Sequence, residues 1–272
     1  MFNLNGNIIL VIGGRGYLGR DFCQKLRSQG AVVISADMAT QSKAASKSKF
    51  HEEYDDIVQM DIDCTSKESI SMLVDQIIKR YKRIDTLVYS VTTKPDDFYY
   101  PYTECSLEGW QKVTQVELDG LFLSSQICGK VMEDQGFGNM IFIGSIYGVV
   151  GNDQRIYKDS NLSDLYGSGN LKQNQVFSHA VYPVVKGGII SLVRYLAAYW
   201  GEKQIRVNCV SPGGVEHEGE NSNFLKKYTE KVPLQRKASL GDISGAIVYL
   251  ASNESSYVTG QNLIIDGGWT SW

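Results

Sequence analysis

Short apolar runs alternate with longer amphipathic stretches along the whole chain. Runs of about five residues predict strands at Ile8–Ile12, Val32–Ala36, Ile57–Met60, Thr86–Tyr89, Met140–Ile143, Arg206–Val210 and Leu263–Ile265. Several carry apolar residues at consecutive positions, as strands do when both faces of a parallel sheet are covered. Helical periodicity predicts helices over Tyr17–Gln29, Lys67–Tyr81, Ser106–Glu133, Ala180–Trp200 and Ile243–Ala251. Strands separated by helices specify βαβ units. The expected fold class is therefore α/β: one doubly wound domain over residues 1–272, with a parallel seven-stranded sheet and helices on both faces.

Three stretches interrupt the alternation. Residues 38–55 are polar and rich in Ser and Lys, and read as a surface loop after the second strand. Residues 150–178 are rich in Gly, Asn, Asp and Ser, and are too long for an ordinary connection. Residues 213–235 follow Pro212 and are polar around a short helical middle. Loops at the carboxyl ends of parallel strands are where ligands bind. The segments expected on the substrate side are therefore about 91–105, 146–179 and 213–235.

Composition narrows the classes of function. The chain has 272 residues, 43% of them hydrophobic and 21% charged, ordinary for a globular domain. A net charge of −3 gives no electrostatic case for nucleic acid or for an anionic membrane. The cysteines (Cys23, Cys64, Cys105, Cys128, Cys209) are odd in number and form no CxxC, so they read as buried thiols in a reducing compartment. His51, His179 and His217 lie far apart in sequence, and no metal site is expected. The amino terminus lacks a basic segment and a cleavage pattern, and no apolar run approaches the roughly 18 residues of a membrane span. The expected address is cytoplasmic, with no membrane partner.

The first strand runs directly into Gly13-Gly14-Arg15-Gly16-Tyr17-Leu18-Gly19, and a helical pattern begins at Tyr17. Glycines in a strand–turn–helix let the backbone approach a pyrophosphate, and the helix N-terminus offers it free N–H groups. Gly13, Arg15, Gly16, Tyr17, Leu18 and Gly19 are thus candidate cofactor residues. Asp37 ends the second strand, where a carboxylate can bind the adenosine ribose hydroxyls. Because that carboxylate would repel a 2′-phosphate, NAD(H) is favoured over NADP(H), with Arg15 as the counter-signal.

Tyr182 and Lys186 share one face of a helix at i,i+4 spacing, within the first turn of the longest apolar pattern. A phenol has a reference pKa of about 10, and a nearby ammonium favours its ionised form. Such a tyrosine takes a proton from an alcohol or donates one to a carbonyl. Tyr199/Lys203 repeats the spacing, but it straddles Gly201 and reads as a helix end. Ser145 follows the fifth strand, where its hydroxyl could hold the reacting oxygen beside Tyr182.

With these residues in place, the chain resembles the short-chain dehydrogenase/reductase family, a single-domain Rossmann fold, over essentially its whole length. The resemblance implies Ser145, Tyr182 and Lys186 as catalytic residues, with Tyr182 and Lys186 also touching the cofactor. It implies Asp61 and Ile62 at the adenine, and Ser90 and Val91 beside the cofactor after the fourth strand. Pro212 and Gly213 would shape the nicotinamide pocket, and the Val215 backbone would hold the carboxamide. Single-domain members commonly pair through their long helices, so a homo-oligomer, a dimer or tetramer, is expected.

Four departures from the family's pattern stand out. The glycine spacing is GxxGxxG, as in sugar-nucleotide epimerases and dehydratases. The family's Asn-Asn-Ala-Gly segment is here Tyr89-Ser90-Val91-Thr92. Glu117 stands where the catalytic tetrad has asparagine, which puts the usual water-linked proton relay in doubt. The stretch between Ser145 and Tyr182 is far longer than usual. With the ending Asp266-Gly267-Gly268-Trp269-Thr270, this long insert resembles a subgroup tied to bacterial surface-sugar pathways.

The two long loops supply many hydroxyl-binding and ion-pairing groups. They suggest a polar small-molecule substrate, such as a sugar, with Arg155, Tyr157 and His217 as candidate contacts. The leading expectation is an NAD(P)-dependent oxidoreductase in carbohydrate metabolism. A non-catalytic NAD-binding sensor or assembly subunit on the same fold is the first alternative, and a sugar-nucleotide epimerase or dehydratase the second.

Overall fold

The computed structural model describes residues 2–39, 57–166 and 176–272. Most of the 38–55 loop and part of the 150–178 insert lie outside the described residues. Seven strands form one parallel sheet: β1 Ile8–Ile12, β2 Val32–Asp37, β3 Val58–Asp61, β4 Thr86–Tyr89, β5 Gly138–Ile143, β6 Ile205–Pro212 and β7 Asn262–Ile265. Their spatial order is β3-β2-β1-β4-β5-β6-β7. The winding reverses between β1 and β4, and a crevice opens at such a switch point beyond the carboxyl ends of the strands. The register there is Ile9 with Thr86 through Ile12 with Tyr89.

Alternation along each strand feeds two cores. Ile8, Leu10 and Ile12 of β1, with Met140 and Phe142 of β5, pack towards α2 (Lys67–Tyr81), α4 (Gly120–Gln135) and α6 (Val181–Trp200). Ile9 and Val11, with Ile141 and Ile143, pack towards α1 (Tyr17–Ser28) and α8 (Leu240–Ala251) on the opposite face. Burial on both sides explains why the apolar runs are continuous rather than alternating.

The predicted long helix over Ser106–Glu133 is continuous but not regular. α3 (Leu107–Thr114) passes into a π-helical turn, Gln115–Asp119, and then into α4. The Tyr89 hydroxyl on β4 donates to the Val116 carbonyl at 2.6 Å inside this widened turn. Gly120 makes that approach possible, because a Cβ there would run into the same hydroxyl. π turns of this kind gather at functional sites.

α6 begins at Val181, so Pro183 is its third residue and its missing N–H falls among the first-turn groups that have no helical partner. His179 secures this start by accepting from the Val181 N–H at 3.0 Å. Contrary to the sequence expectation, α6 with its 3₁₀ extension to Lys203 is long and apolar enough to cross a membrane. Its apolar side is spent on the core instead: Val185, Ile189, Ile190, Val193 and Trp200 are buried. Two short helices, α5 (Leu162–Tyr166) in the insert and α7 (Ser222–Thr229) after β6, roof the carboxyl end of the sheet.

Candidate active site

The glycine turn is tight for identifiable reasons. Gly13 has φ +85°, a left-handed conformation that favours glycine, and a Cβ there would collide with the Ser90 carbonyl across the crevice. A Cβ on Gly19 would run into the Gly13 carbonyl oxygen. Gly16 caps α1 without a side-chain hydrogen bond, and the first turn carries no acidic residue. The helix end therefore offers its N–H groups and partial positive charge to an anion. This cradle fits the pyrophosphate of a nicotinamide dinucleotide.

One open cavity of about 490 Å³ runs from this turn across the ends of β1, β4, β5 and β6. Gly13, Gly16, Tyr17, Leu18, Asp37, Ser90, Val91, Ser145, Tyr182, Lys186, Pro212, Gly213, Val215, Tyr157 and His217 all line it. Arg15, Gly19, Asp61, Ile62 and Arg155 are not among its walls. Gly19 supports the turn from behind, and Ile62 is buried in the core. Arg155 is 86% exposed and its guanidinium is bound to Asp153 at 2.8 Å.

At the end of the cavity beside β2, Asp37 accepts from the Arg15 N–H at 2.9 Å and from the Met38 N–H at 2.8 Å. The Arg15 guanidinium pairs with Asp61 at 2.7 Å and also donates to the Met38 carbonyl at 3.2 Å. Its charge is thus answered by a carboxylate on β3.

Ser145 extends β5 and is 4% exposed; its Oγ accepts from the Tyr147 N–H at 3.2 Å and so opens a 3₁₀ turn, Ile146–Gly148. This turn packs on α6 so closely that a Cβ on Gly148 would meet the Lys186 backbone at 2.7 Å. Ser145 and the start of α6 are thereby held together. The Lys186 ammonium donates to the Ile143 carbonyl at 3.2 Å and lies 5.5 Å from the centroid of the Tyr182 ring. Its Nζ is also 2.9 Å from Oε2 of Glu117, which is wholly buried. Burial alone pulls the Lys186 pKa down, but Glu117, and Tyr182 after it, hold it above its ordinary value.

Beyond Tyr182 lies a chamber that the sequence did not foretell. Phe98, Tyr99, Tyr157, Leu162, Phe224 and Tyr228 form its apolar wall, with Trp269 behind. The Tyr157 and Tyr147 hydroxyls are 2.9 Å apart. Burial raises both phenols, Tyr157 to about 12, so both remain protonated donors at neutral pH. Lys237 and Glu220 form a buried ion pair at 2.5 Å on one side. Lys94, on the loop after β4, also faces the cavity; burial lowers its pKa to about 8, partly offset by Glu117. No spacing along the chain signals this chamber, because its residues come from four separate segments.

The roof over the β6 end of the cavity is built from the loop after β6. The Tyr228 hydroxyl accepts from the Gly214 N–H, and Tyr228 stacks on Trp269 at 4.6 Å. Val215 bridges Ala238 in parallel, with bonds through the Gly214 carbonyl and the Glu216 N–H. That pattern turns the N–H and C=O of Val215 itself away from residue 238. At the carboxyl end, Asp266 accepts from the Gly268 and Thr270 N–H groups, each at 2.8 Å, and fixes the turn that carries Trp269.

Known proteins resemble this chain in sequence and fold. A family model described as short chain dehydrogenase matches residues 7–157, and one described as enoyl-(acyl carrier protein) reductase matches residues 169–270. The post-translational flagellin modification protein A of Campylobacter coli is 31% identical, over 98% of this chain and 99% of its own. D-threitol dehydrogenase of Mycolicibacterium smegmatis is 27% identical, over 99% of this chain and 95% of its own. A crystal structure of a short chain dehydrogenase from Leptospira borgpetersenii with bound NAD+ superposes with a TM-score of 0.82 at 30% identity, covering 98% of this chain and 94% of that one. With the glycine cradle, the doubly wound sheet and these full-length likenesses agreeing, the chain belongs to the short-chain dehydrogenase/reductase family of oxidoreductases.

Proposed function

We propose that the protein moves hydride between NAD(H) and an alcohol or carbonyl carbon of a small polar, hydroxylated substrate. The observation that carries this reading is the convergence of Ser145, Tyr182 and Lys186 on one wall of the cavity that begins at the glycine turn. The bound nicotinamide would accept or supply the hydride. Gly13, Gly16 and Tyr17 would face the pyrophosphate, Asp37 the adenosine ribose, and Pro212 to Val215 the carboxamide end. Tyr182 exchanges the substrate oxygen's proton as general acid or base. Ser145 donates a hydrogen bond to the same oxygen, and the Lys186 ammonium stabilises negative charge on the phenol. Asp37 disfavours a 2′-phosphate, while the charge of Arg15 is already engaged by Asp61; both support NAD(H) over NADP(H).

The chamber supports a ring-sized or polyol substrate: rings for its carbon face, and the Tyr147 and Tyr157 hydroxyls with Lys94 for its oxygens. The name of the Mycolicibacterium relative, which refers to a small polyol, agrees with this. Exposed Phe122 on α4 and Val184, Tyr195 and Tyr199 on α6 support pairing of two copies through these helices. Light scattering that found only a 30.3 kDa species would refute that pairing. The five cysteines are all free, in keeping with a reducing, cytoplasmic setting.

The test is NADH oxidation over a panel of polyhydroxylated ketones and aldehydes, with wild type and Tyr182→Phe compared. Loss of the hydroxyl should lower turnover at least about a hundredfold while NADH binding, read by fluorescence titration, persists. Equal turnover by the two proteins on every active substrate would overturn the assignment.

A further inference from the structure

Two departures from the family's pattern, the Tyr89–Thr92 segment and Glu117, are about 25 residues apart in sequence and meet in space. Tyr89 holds the π turn that carries Glu117. The Thr92 hydroxyl donates to Glu117 Oε1 at 2.8 Å, and the Thr93 N–H donates to the same oxygen at 3.3 Å. Oε2 is left to Lys186, 2.9 Å away, with no other partner among the described residues. Each carboxylate oxygen thus has one task.

We propose that Glu117 is a positioning residue for the reaction above: a permanent internal counter-ion that keeps the buried Lys186 ammonium charged and aimed, with Thr92 orienting the carboxylate. The inference rests on that reading of Tyr182 and Lys186. An ammonium offers three N–H donors. One lies on the Ile143 carbonyl and one faces Glu117, so the third is held for the ribose and phenol side of the cavity. Glu117 is not itself a wall of the cavity, so it acts through Lys186 rather than on substrate.

Stability does not account for the pair. A buried ion pair is typically no better than apolar side chains of the same volume, because both charges must leave water. Deprotonation, by contrast, is what an isolated ammonium with 3% exposure would undergo. The counter-ion prevents it before cofactor arrives, so the site is charged in its empty state.

Other titratable groups face this pair: Tyr89 and Lys94 from β4 and its loop, Cys209 from β6 and Tyr182 from α6, while Asp119 of the π turn acts on Tyr89. Burial raises Tyr89 well above the ordinary phenol value and Cys209 to about 11, so neither changes charge near neutrality. Lys94, at about 8, does. The substrate-free titration is therefore run in a Lys94→Met background, and the kinetic readout with Lys94 intact.

The cofactor-free full chain is labelled with ¹³C at the lysine ε-carbons, and the Lys186 signal is assigned by its loss in Lys186→Arg. Glu117→Gln keeps the size of the side chain and its acceptor for Thr92 but removes the charge. The expected result is a downward shift of the Lys186 titration midpoint by at least one pH unit, with Glu117→Asp restoring part of it. The basic limb of kcat/KM should move down with it. Should Glu117→Gln fail to fold, Thr92→Val leaves the charge in place but loosens its aim, and a smaller downward shift is expected. An unchanged Lys186 midpoint in the folded variant overturns the proposal. Because this titration needs neither substrate nor cofactor, it is read separately from the Tyr182→Phe assay: a shifted midpoint with undiminished Tyr182→Phe turnover would keep the counter-ion and sink only the oxidoreductase reading.

Discussion

The Tyr17 hydroxyl donates to the main-chain carbonyl of Glu216 and so ties the first residue of α1 to the loop after β6, 199 positions away. The Tyr17 ring also lies 5.0 Å from that of His217. Both residues line the cavity, so the contact crosses the crevice between the phosphate turn and the substrate-side loop. On the proposed reading, a dinucleotide lying along the cavity would pass this clasp on entry and exit. Tyr17→Ala is expected to raise the NADH dissociation rate severalfold in stopped-flow fluorescence, with little change in thermal stability, since Tyr17 is half exposed. An unaltered dissociation rate would show that the clasp does not gate the cofactor.

On the proposed reading, Asp37 is the residue that disfavours NADP(H). Replacing it with Ser keeps a small acceptor near the Arg15 and Met38 N–H groups but removes the charge that repels a 2′-phosphate. The ratio of kcat/KM for NADH to that for NADPH should fall by at least about tenfold, or about 1.4 kcal/mol. A ratio that does not move would place the discrimination elsewhere, with Arg15 the first residue to test.

Lys94 carries a pH signature of definite sign. Burial lowers its pKa to about 8, so between there and the unfolded value of about 10.4 the unfolded chain binds more protons than the folded one. Stability from this residue rises with pH through that window and is least below it. Lys94→Met should therefore raise Tm at pH 7 by a few degrees, and the gain should shrink as pH climbs past about 8. A constant gain across pH 6–10 would contradict the buried-ammonium account.

Gly19→Ala tests the cradle. The added methyl would run into the Gly13 carbonyl oxygen, and neither backbone can retreat without moving β1 or α1. A stability loss of about 1–3 kcal/mol is expected, together with much weaker NADH binding in calorimetry. Normal binding in a folded Gly19→Ala protein would mean that the turn is not the pyrophosphate site.

The regular elements were legible in the chain because local rules govern them. All seven strands form within two residues of the predicted limits at either end, since a strand buried on both faces leaves a continuous apolar run. The predicted helix over Lys67–Tyr81 matches its observed limits, with Ser66 capping it by accepting from the Ser69 N–H. The π turn was not legible: nothing in Gln115–Asp119 differs from ordinary helix, and the cause lies in Tyr89, a residue on another element. Arg155 illustrates the opposite case. Its chemistry suited a substrate anion, but Asp153 two residues earlier occupies it at the surface.

By itself, the sequence determined the alternation of strands and helices, the glycine turn and the Tyr182/Lys186 pair, because each follows from spacing of a few residues along one element, with Ser145 marked by its place at the end of a strand. Only the tertiary structure decided that Glu117 faces Lys186, that Thr92 orients it, and that Tyr147, Tyr157 and Tyr228 share one chamber. Those partnerships join segments brought together by the winding of the sheet. Burying the aromatic groups together is favourable, whereas burying the charges is costly unless each finds its partner, and both depend on groups from separate segments, which no local pattern records.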